Sequence, residues 1–265
     1  MIPRRGAKEI ELIREACRIV YFVQQQLEAA LAVGVTPRQL DELAEATIRD
    51  HGAVPAFKGY QGFPASICAS VNANIVHGIP DDRPLVDGDI ISVDVGAILA
   101  GYYGDGAFTF GVGAVDAECQ HLLDVTRNCL ALGIDQCRPG NRLSDISHAI
   151  AQHATANQVA IVREFGGHGI GRKLHEDPHI LNYGPANTGP ELRPGYVFAI
   201  EPILSTGDGR MRVGDDGWTT TTVDGRPAAH FEHTVAVAEN GPEILTLPAA
   251  KTMAALETGA SVNRG

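Results

Sequence analysis

Hydrophobic positions in the first fifty residues recur at helical spacing. Ile10, Ile13, Cys17, Val20, Val23, Leu27 and Leu31 share one face and predict an amphipathic helix from about Glu9 to Ala32, closed by Gly34. Thr36-Pro37-Arg38-Gln39 has the form of a second helix start: a hydroxyl cap, a proline at the first helical position and a glutamine that completes a capping box. Leu40, Leu43, Ala44 and Ile48 supply its buried stripe, and Gly52 ends it. The pattern then turns to strands. Ile67–Val71 leads into His77-Gly78-Ile79-Pro80, and Ile90–Leu99 with Tyr102–Phe110 predicts a hairpin turning at Ala100-Gly101. A second helical pair is predicted over about Val115–Cys137 and Leu143–Ala156, separated by Pro139-Gly140. Extended segments follow at Val162–Gly171 and Tyr196–Leu204. A last hairpin is predicted from Trp218–Val223 and Pro227–Val237 around Asp224-Gly225, a strong two-residue turn signal.

The pattern also repeats. Pro84 to Asp94 reads Pro-Leu-Val-Asp-Gly-Asp-Ile-Ile-Ser-Val-Asp, and Glu191 to Glu201 reads Glu-Leu-Arg-Pro-Gly-Tyr-Val-Phe-Ala-Ile-Glu. Gly88 and Gly195 hold the same place in the two copies, as do Asp94 and Glu201. His-Gly-Ile occurs at His77 and at His168, and Gly34 and Gly140 each lead into a second helix. Together these predict one α+β domain over 1–250, built from two similar halves (about 9–113 and 114–247) around a pseudo-twofold axis. The small, polar stretch 251–265 is expected to be a flexible tail.

Charge and cysteine usage narrow the function classes. The 265 residues carry a formal net charge of −11, which argues against direct nucleic-acid binding. No apolar run reaches the roughly 18–20 residues that would span a membrane. Met1-Ile2-Pro3-Arg4-Arg5 has no apolar segment behind it, so no secretory leader is expected. Five scattered cysteines with no C-x-x-C spacing suit reduced thiols and a cytoplasmic protein.

Four carboxylates sit against apolar strand sequence. Asp94 follows Ile-Ile-Ser-Val, and Asp105 lies across the predicted hairpin, where the two would be neighbours on one face. Glu201 follows Phe-Ala-Ile and precedes Pro202, and Glu232 adjoins the apolar run ending at Val237. Singly, each suits a solvated edge or turn. Together they predict a shared site, because carboxylates that close repel unless a cation intervenes. His168 lies in Gly166-Gly167-His168-Gly169-Ile170-Gly171, with His175 shortly after it and His77 in the other half. One imidazole and four carboxylates make an oxygen-rich site suited to Mn, Fe or Co at least as well as Zn. Two divalent metal ions, ~3.5–4 Å apart, would balance the charge.

This constellation resembles the type I methionine aminopeptidases of the "pita-bread" metallopeptidase group. The motifs are His77-Gly-Ile-Pro, Ser92-Val-Asp-Val with Gly104-Asp105, Gly167-His168-Gly-Ile-Gly, Ile200-Glu201-Pro and Phe231-Glu232-His233-Thr. The likeness runs from the first helix to about Leu247. It implies the pita-bread fold, with a central antiparallel sheet covered by helices. It also implies that Asp94, Asp105, His168, Glu201 and Glu232 bind metal, with Asp105 and Glu232 shared between the two ions. Glu201 would move the proton of the attacking water to the leaving amine, while His77 and His175 would bind the scissile amide. Tyr60, Phe63, Cys68, Leu174 and Trp218 would enclose the methionine side chain. Phe57 stands where the family often has cysteine, and Leu174 where it often has phenylalanine, so the pocket shape is expected to differ.

The implied reaction is removal of N-terminal methionine ahead of a small second residue, on nascent polypeptides, by a cytoplasmic bacterial-type monomer working near the ribosome. Two alternatives stand beside it. One is a proline-specific aminopeptidase or dipeptidase of the same fold. The other is a non-catalytic peptide- or ribosome-binding protein, which the retention of all five ligand positions disfavours.

Overall fold

The computed structural model describes residues 1–248. In it α1 (Ala7–Ala30) buries Ile13, Cys17, Val20, Val23 and Leu27, the face that the spacing predicts. α2 (Pro37–Asp50) begins on the predicted cap. Gln39 N donates to Thr36 Oγ1 at 3.2 Å, and Thr36 N donates to Gln39 Oε1 at 3.0 Å. A capping pair of this kind is worth on the order of 1 kcal/mol.

Four strands lie beside these helices: β1 (Val54–Pro55), β2 (Ile67–Val71), β3 (Ile90–Leu99) and β4 (Tyr102–Gly111). β3 and β4 pair antiparallel from Ile90↔Gly111 to Leu99↔Tyr102. The turn is Ala100-Gly101, with φ of +50° and +78°, the left-handed pair that matches strand twist in a tight hairpin. α1 lies directly on β4: a Cβ at Gly104 would come 2.6 Å from the Cys17 nitrogen, so only glycine allows this approach.

The second half restates the first. α3 (Ala117–Asp135) starts on Asp116, whose carboxylate accepts from Cys119 N at 2.7 Å, and α4 (Leu143–Ala156) matches its predicted span. Gly34 N donates to Leu85 O and Leu85 N to Val35 O, each at 2.8 Å. In the other copy Gly140 N donates to Leu192 O at 3.2 Å and Leu192 N to Asn141 O at 2.7 Å. Gly88 and Gly195 take φ of +88° and +94° and donate to Val112 O and Val237 O, both at 2.9 Å. The repeated glycines are thus the same backbone joints used twice.

The remaining strands are β5 (Ala160–Ile161), β6 (Gly166–Gly169), β7 (Glu176–Leu181), β8 (Val197–Ile200), β9 (Ile203–Ser205), β10 (Met211–Val213), β11 (Thr220–Thr222), β12 (Ala228–His230), β13 (His233–Ala238) and β14 (Gly241–Ile244). They form a five-stranded sheet in the order β14-β13-β8-β6-β7, a three-stranded sheet β12-β9-β5 and the pair β10-β11, all antiparallel. The halves join where Glu232 N donates to Ala107 O at 2.8 Å and the Thr234 hydroxyl donates to Asp105 O at 2.8 Å. The antiparallel centre is therefore several abutting sheets rather than one continuous ladder.

Three predicted elements differ. Tyr196–Leu204 is two strands, because Pro202 has no N–H to continue the ladder. Within Val162–Gly171 only Gly166–Gly169 is strand. The hairpin around Asp224-Gly225 does not form: β11 pairs with β10, and β12 pairs with β9. Gly225 does turn, at φ +74°, but β11 is bonded on its other side to residues 73–76 through Thr220 and Thr222. The Asp224 carboxylate accepts from Asp208 N at 2.9 Å, tying the turn to a different loop. The expected tail, 251–265, lies outside the described residues.

Candidate metal centre

All twelve residues singled out in the sequence line one cleft of about 200 Å³ between the halves. β3 and β4 carry Asp94 and Asp105. Their register (Asp94↔Ala107, Gly96↔Asp105) puts the two carboxylates on one face, diagonally opposed. β6 supplies His168, the residue after β8 is Glu201, and Glu232 sits in the short link before β13. Ligand atoms of Asp105, His168 and Glu232, all buried, lie within 4.8 Å of one another. Glu201 Oε1 stands 3.5 Å from His168 Nε2, and Asp105 Oδ2 stands 3.9 Å from it.

The electrostatics of this cluster are unfavourable as they stand. Burial pushes Asp94 up to about 7, opposed by a hydrogen bond with Asp105. Burial also raises Asp105 well above the usual carboxylate range, and the charges of Asp94 and Glu201 add to the rise. Glu201 and Glu232 are raised by burial and then by neighbouring carboxylates. Burial lowers His168 to about 3, with a further push from His175, so its imidazole is neutral and a lone pair is available. Its Nδ1 lies 3.0 Å from Gly169 O, which leaves Nε2 free to face the carboxylates. Asp94 Oδ1, Asp105 Oδ1 and Glu232 Oε1 are buried with no hydrogen-bond partner. Orphaned anionic oxygens beside a neutral imidazole are a donor set that fits divalent cations, which offset both the repulsion and the desolvation.

Above this floor the cleft is apolar. Phe63, Cys68 and Leu174 are buried, and Trp218 meets Phe63 edge-on with ring centroids 5.1 Å apart. These side chains also belong to a hydrophobic cluster with Ile13 and Phe57, so the wall is continuous with the core. Phe57 fits because position 96 is glycine: a Cβ there would lie 2.6 Å from its ring. Cys68 pairs with Asp94 across β2 and β3, at the junction of wall and floor. Tyr60 Oη is 2.8 Å from His175 Nδ1 at the rim. His77 has φ +58° and packs edge-on against Phe165 and Trp218.

Sequence reasoning passed over Gln61, Val76, Phe165, Ile203 and His230, which also line the cleft. For His230 there was a usable signal: it stands two residues before Glu232, the spacing that returns extended chain to the same face.

Known proteins resemble this chain in sequence and in fold. Residues 11–239 match the sequence pattern of metallopeptidase family M24. The chain is 49% identical over 246 residues to methionine aminopeptidase 1 of Bacillus subtilis, spanning 93% of this chain and 99% of that one. It is 47% identical over 254 residues to methionine aminopeptidase 1 of Mycobacterium tuberculosis, spanning 93% and 96%. The crystal structure of methionine aminopeptidase from Rickettsia prowazekii superposes with a TM-score of 0.92 at 40% identity, covering 93% of this chain and all of that one. A prolidase from Pyrococcus furiosus shares the fold at 22% identity and a TM-score of 0.73, with 65% of its chain covered. The match spans the structure from α1 to the end of β13 and takes in every element that lines the cleft: the chain belongs to metallopeptidase family M24.

Proposed function

We propose that this chain removes N-terminal methionine from peptides and nascent proteins as a metal-dependent aminopeptidase. One observation carries the reading. Four carboxylates and an imidazole, with orphaned buried oxygens among them, converge at the floor of a cleft walled by aromatic and sulfur-bearing side chains. Asp94, Asp105, His168, Glu201 and Glu232 would hold two divalent ions. Bound there, the ions would supply Lewis acidity and lower the pKa of water toward neutrality.

The chain's own residues do the rest. The wall of Phe63, Cys68, Leu174 and Trp218 accepts an unbranched thioether, for which sulfur–aromatic contacts are favourable. Glu201, ionised beside the metal, would accept the proton of the attacking water and pass it to the departing amine. A Tyr60 hydroxyl that donates to His175 Nδ1 leaves that ring's proton on Nε2, as a donor toward the scissile carbonyl oxygen. His77 faces it from the other half, kept neutral by burial. The expected substrates carry a small second residue such as Gly, Ala or Ser.

A chain acting on emerging N-termini works beside the ribosome in the cytoplasm, as a monomer. All five cysteines are free and buried, which suits a reducing compartment. The test is mass spectrometry on Met-Ala-Ser and Ala-Pro-Ser with chelator-stripped protein, before and after Mn²⁺ or Co²⁺. Loss of methionine alone, and only with metal, is expected. Cleavage before proline would move the assignment to a proline-specific peptidase, and no cleavage with metal bound would leave a binding role.

A further inference from the structure

His230 has no part in the function proposed above, yet it ends β12 at the floor of the cleft. Its residue is 3% exposed, and its Nε2 is buried with no hydrogen-bond partner. That nitrogen lies 3.6 Å from Glu201 Oε2 and 3.8 Å from Glu232 Oε2. Both separations exceed the ~3.2 Å limit of a good N–H···O bond. They suit two atoms that share an ion: ligands at ~2.0–2.2 Å from one cation can be up to ~4.2 Å apart. His168 shows the same signature, at 3.5 Å from the other oxygen of Glu201 and 3.9 Å from Asp105. Glu201 is thus flanked by two imidazole nitrogens, one on each oxygen.

The position is built rather than incidental. His230 N donates to Thr109 Oγ1 at 2.9 Å, and that hydroxyl donates back to His230 O at 2.8 Å. Ser92 Oγ, 2.8 Å away, completes the hydroxyl's bonding. β3 and β4, the strands that carry Asp94 and Asp105, therefore clamp the backbone of His230 beside the carboxylates.

We propose that His230 is a sixth protein ligand of the metal centre, its Nε2 binding the ion held between Glu201 and Glu232. The inference rests on the metal reading of the cleft and adds a second nitrogen donor to a site otherwise rich in oxygen. A second imidazole shifts preference toward Fe, Co or Zn and away from Mn.

The test uses stripped protein labelled with ¹⁵N-histidine and loaded with ¹¹³Cd²⁺. A one-bond cadmium–nitrogen coupling marks each imidazole bound to metal. Two coupled histidines are expected in the wild type and one in His230→Gln, whose amide can still donate a hydrogen bond. Calorimetry with Co²⁺ should show one site weakened by about 10–100-fold in His230→Gln. The wild-type spectrum decides even if the variant does not fold: a single coupled histidine overturns the proposal. Absence of any cadmium or cobalt binding would instead remove the metal reading itself.

Discussion

At the scale of single residues, the cleft concentrates groups that would be costly anywhere else. Asp105 is the clearest case. It is buried, faces two other carboxylates, and its backbone is fixed by Thr234 through both N–H and C=O. Because the backbone holds its place, Asp105→Ala should keep the fold while losing more than ~100-fold in cobalt affinity by calorimetry, with turnover falling at least as far. Glu201→Ala should lose turnover to a similar degree; full activity in either variant after metal loading would sink the mechanism. A different carboxylate reports on stability. Glu45 accepts from Lys58 Nζ at 2.6 Å, from Arg49 Nε at 2.9 Å and from Ser66 Oγ at 3.2 Å, holding α2 to the segment that leads into the cleft. Lys58 and then Arg49 draw its pKa down from 4.5 to about 2. A depressed carboxylate stabilises above its unfolded pKa and loses that contribution as pH falls through the folded one. Glu45→Gln should therefore lower the melting temperature at pH 7, and the gap should close as the pH falls from 4.5 toward 2. Solvent screening limits the effect to about 1 kcal/mol, or roughly 2–4 °C. A gap that persists unchanged in acid would show that the ion pairs contribute nothing.

At the scale of elements, the fit of α1 on β4 is what aims the first two carboxylates. Gly104 is the contact: an added Cβ meets the backbone at Cys17 and Ala16, which cannot move aside as a side chain could. Gly104→Ala should lift α1 from the hairpin next to Asp105, lowering the melting temperature by several degrees and weakening metal binding together. An unchanged melt would mean that helix and hairpin slide freely. This region was also the most legible in the sequence. The stripe on α1, the capping box of α2 and the hairpin from Ile90 are local signals, set by period and turn chemistry, and the structure keeps them almost to the residue. The segment 196–237 was less legible because strand pairing there is not local. Asp224-Gly225 specifies a turn, but the partners of β11 and β12 lie elsewhere in the chain. The site followed the same rule. Carboxylates beside apolar strands pointed to a site once taken together, whereas His230 offered only its two-residue spacing from Glu232, and its unpaired nitrogen is visible only in the packing.

At the scale of the whole molecule, the two halves meet at the site. Asp94 and Asp105 come from the first copy of the repeat, and His168, Glu201 and Glu232 from the second. The halves are already joined without metal, by Glu232 N to Ala107 O and by the paired bonds between Thr234 and Asp105. Gln24 of α1 adds a bond to Gly106 O at 2.7 Å, beside the same seam. Each half nevertheless has a core of its own, one under α1 and α2 and the other under α3 and α4, while a third cluster joins Ile13 and Phe63 to Leu174 and Val197 across the seam. Separate cores permit separate melting; a seam stitched through the ligand-bearing strands opposes it, since opening either half exposes the buried carboxylates of both. The seam should win, so that stripped protein unfolds in one calorimetric transition with no stable half. Metal then binds only the joined state and should raise the transition by mass action, by about 2.7 kcal/mol at a free concentration one hundred times the dissociation constant. Two resolved transitions in stripped protein, merging on metal addition, would mean instead that the ions and not the seam make this chain a single domain.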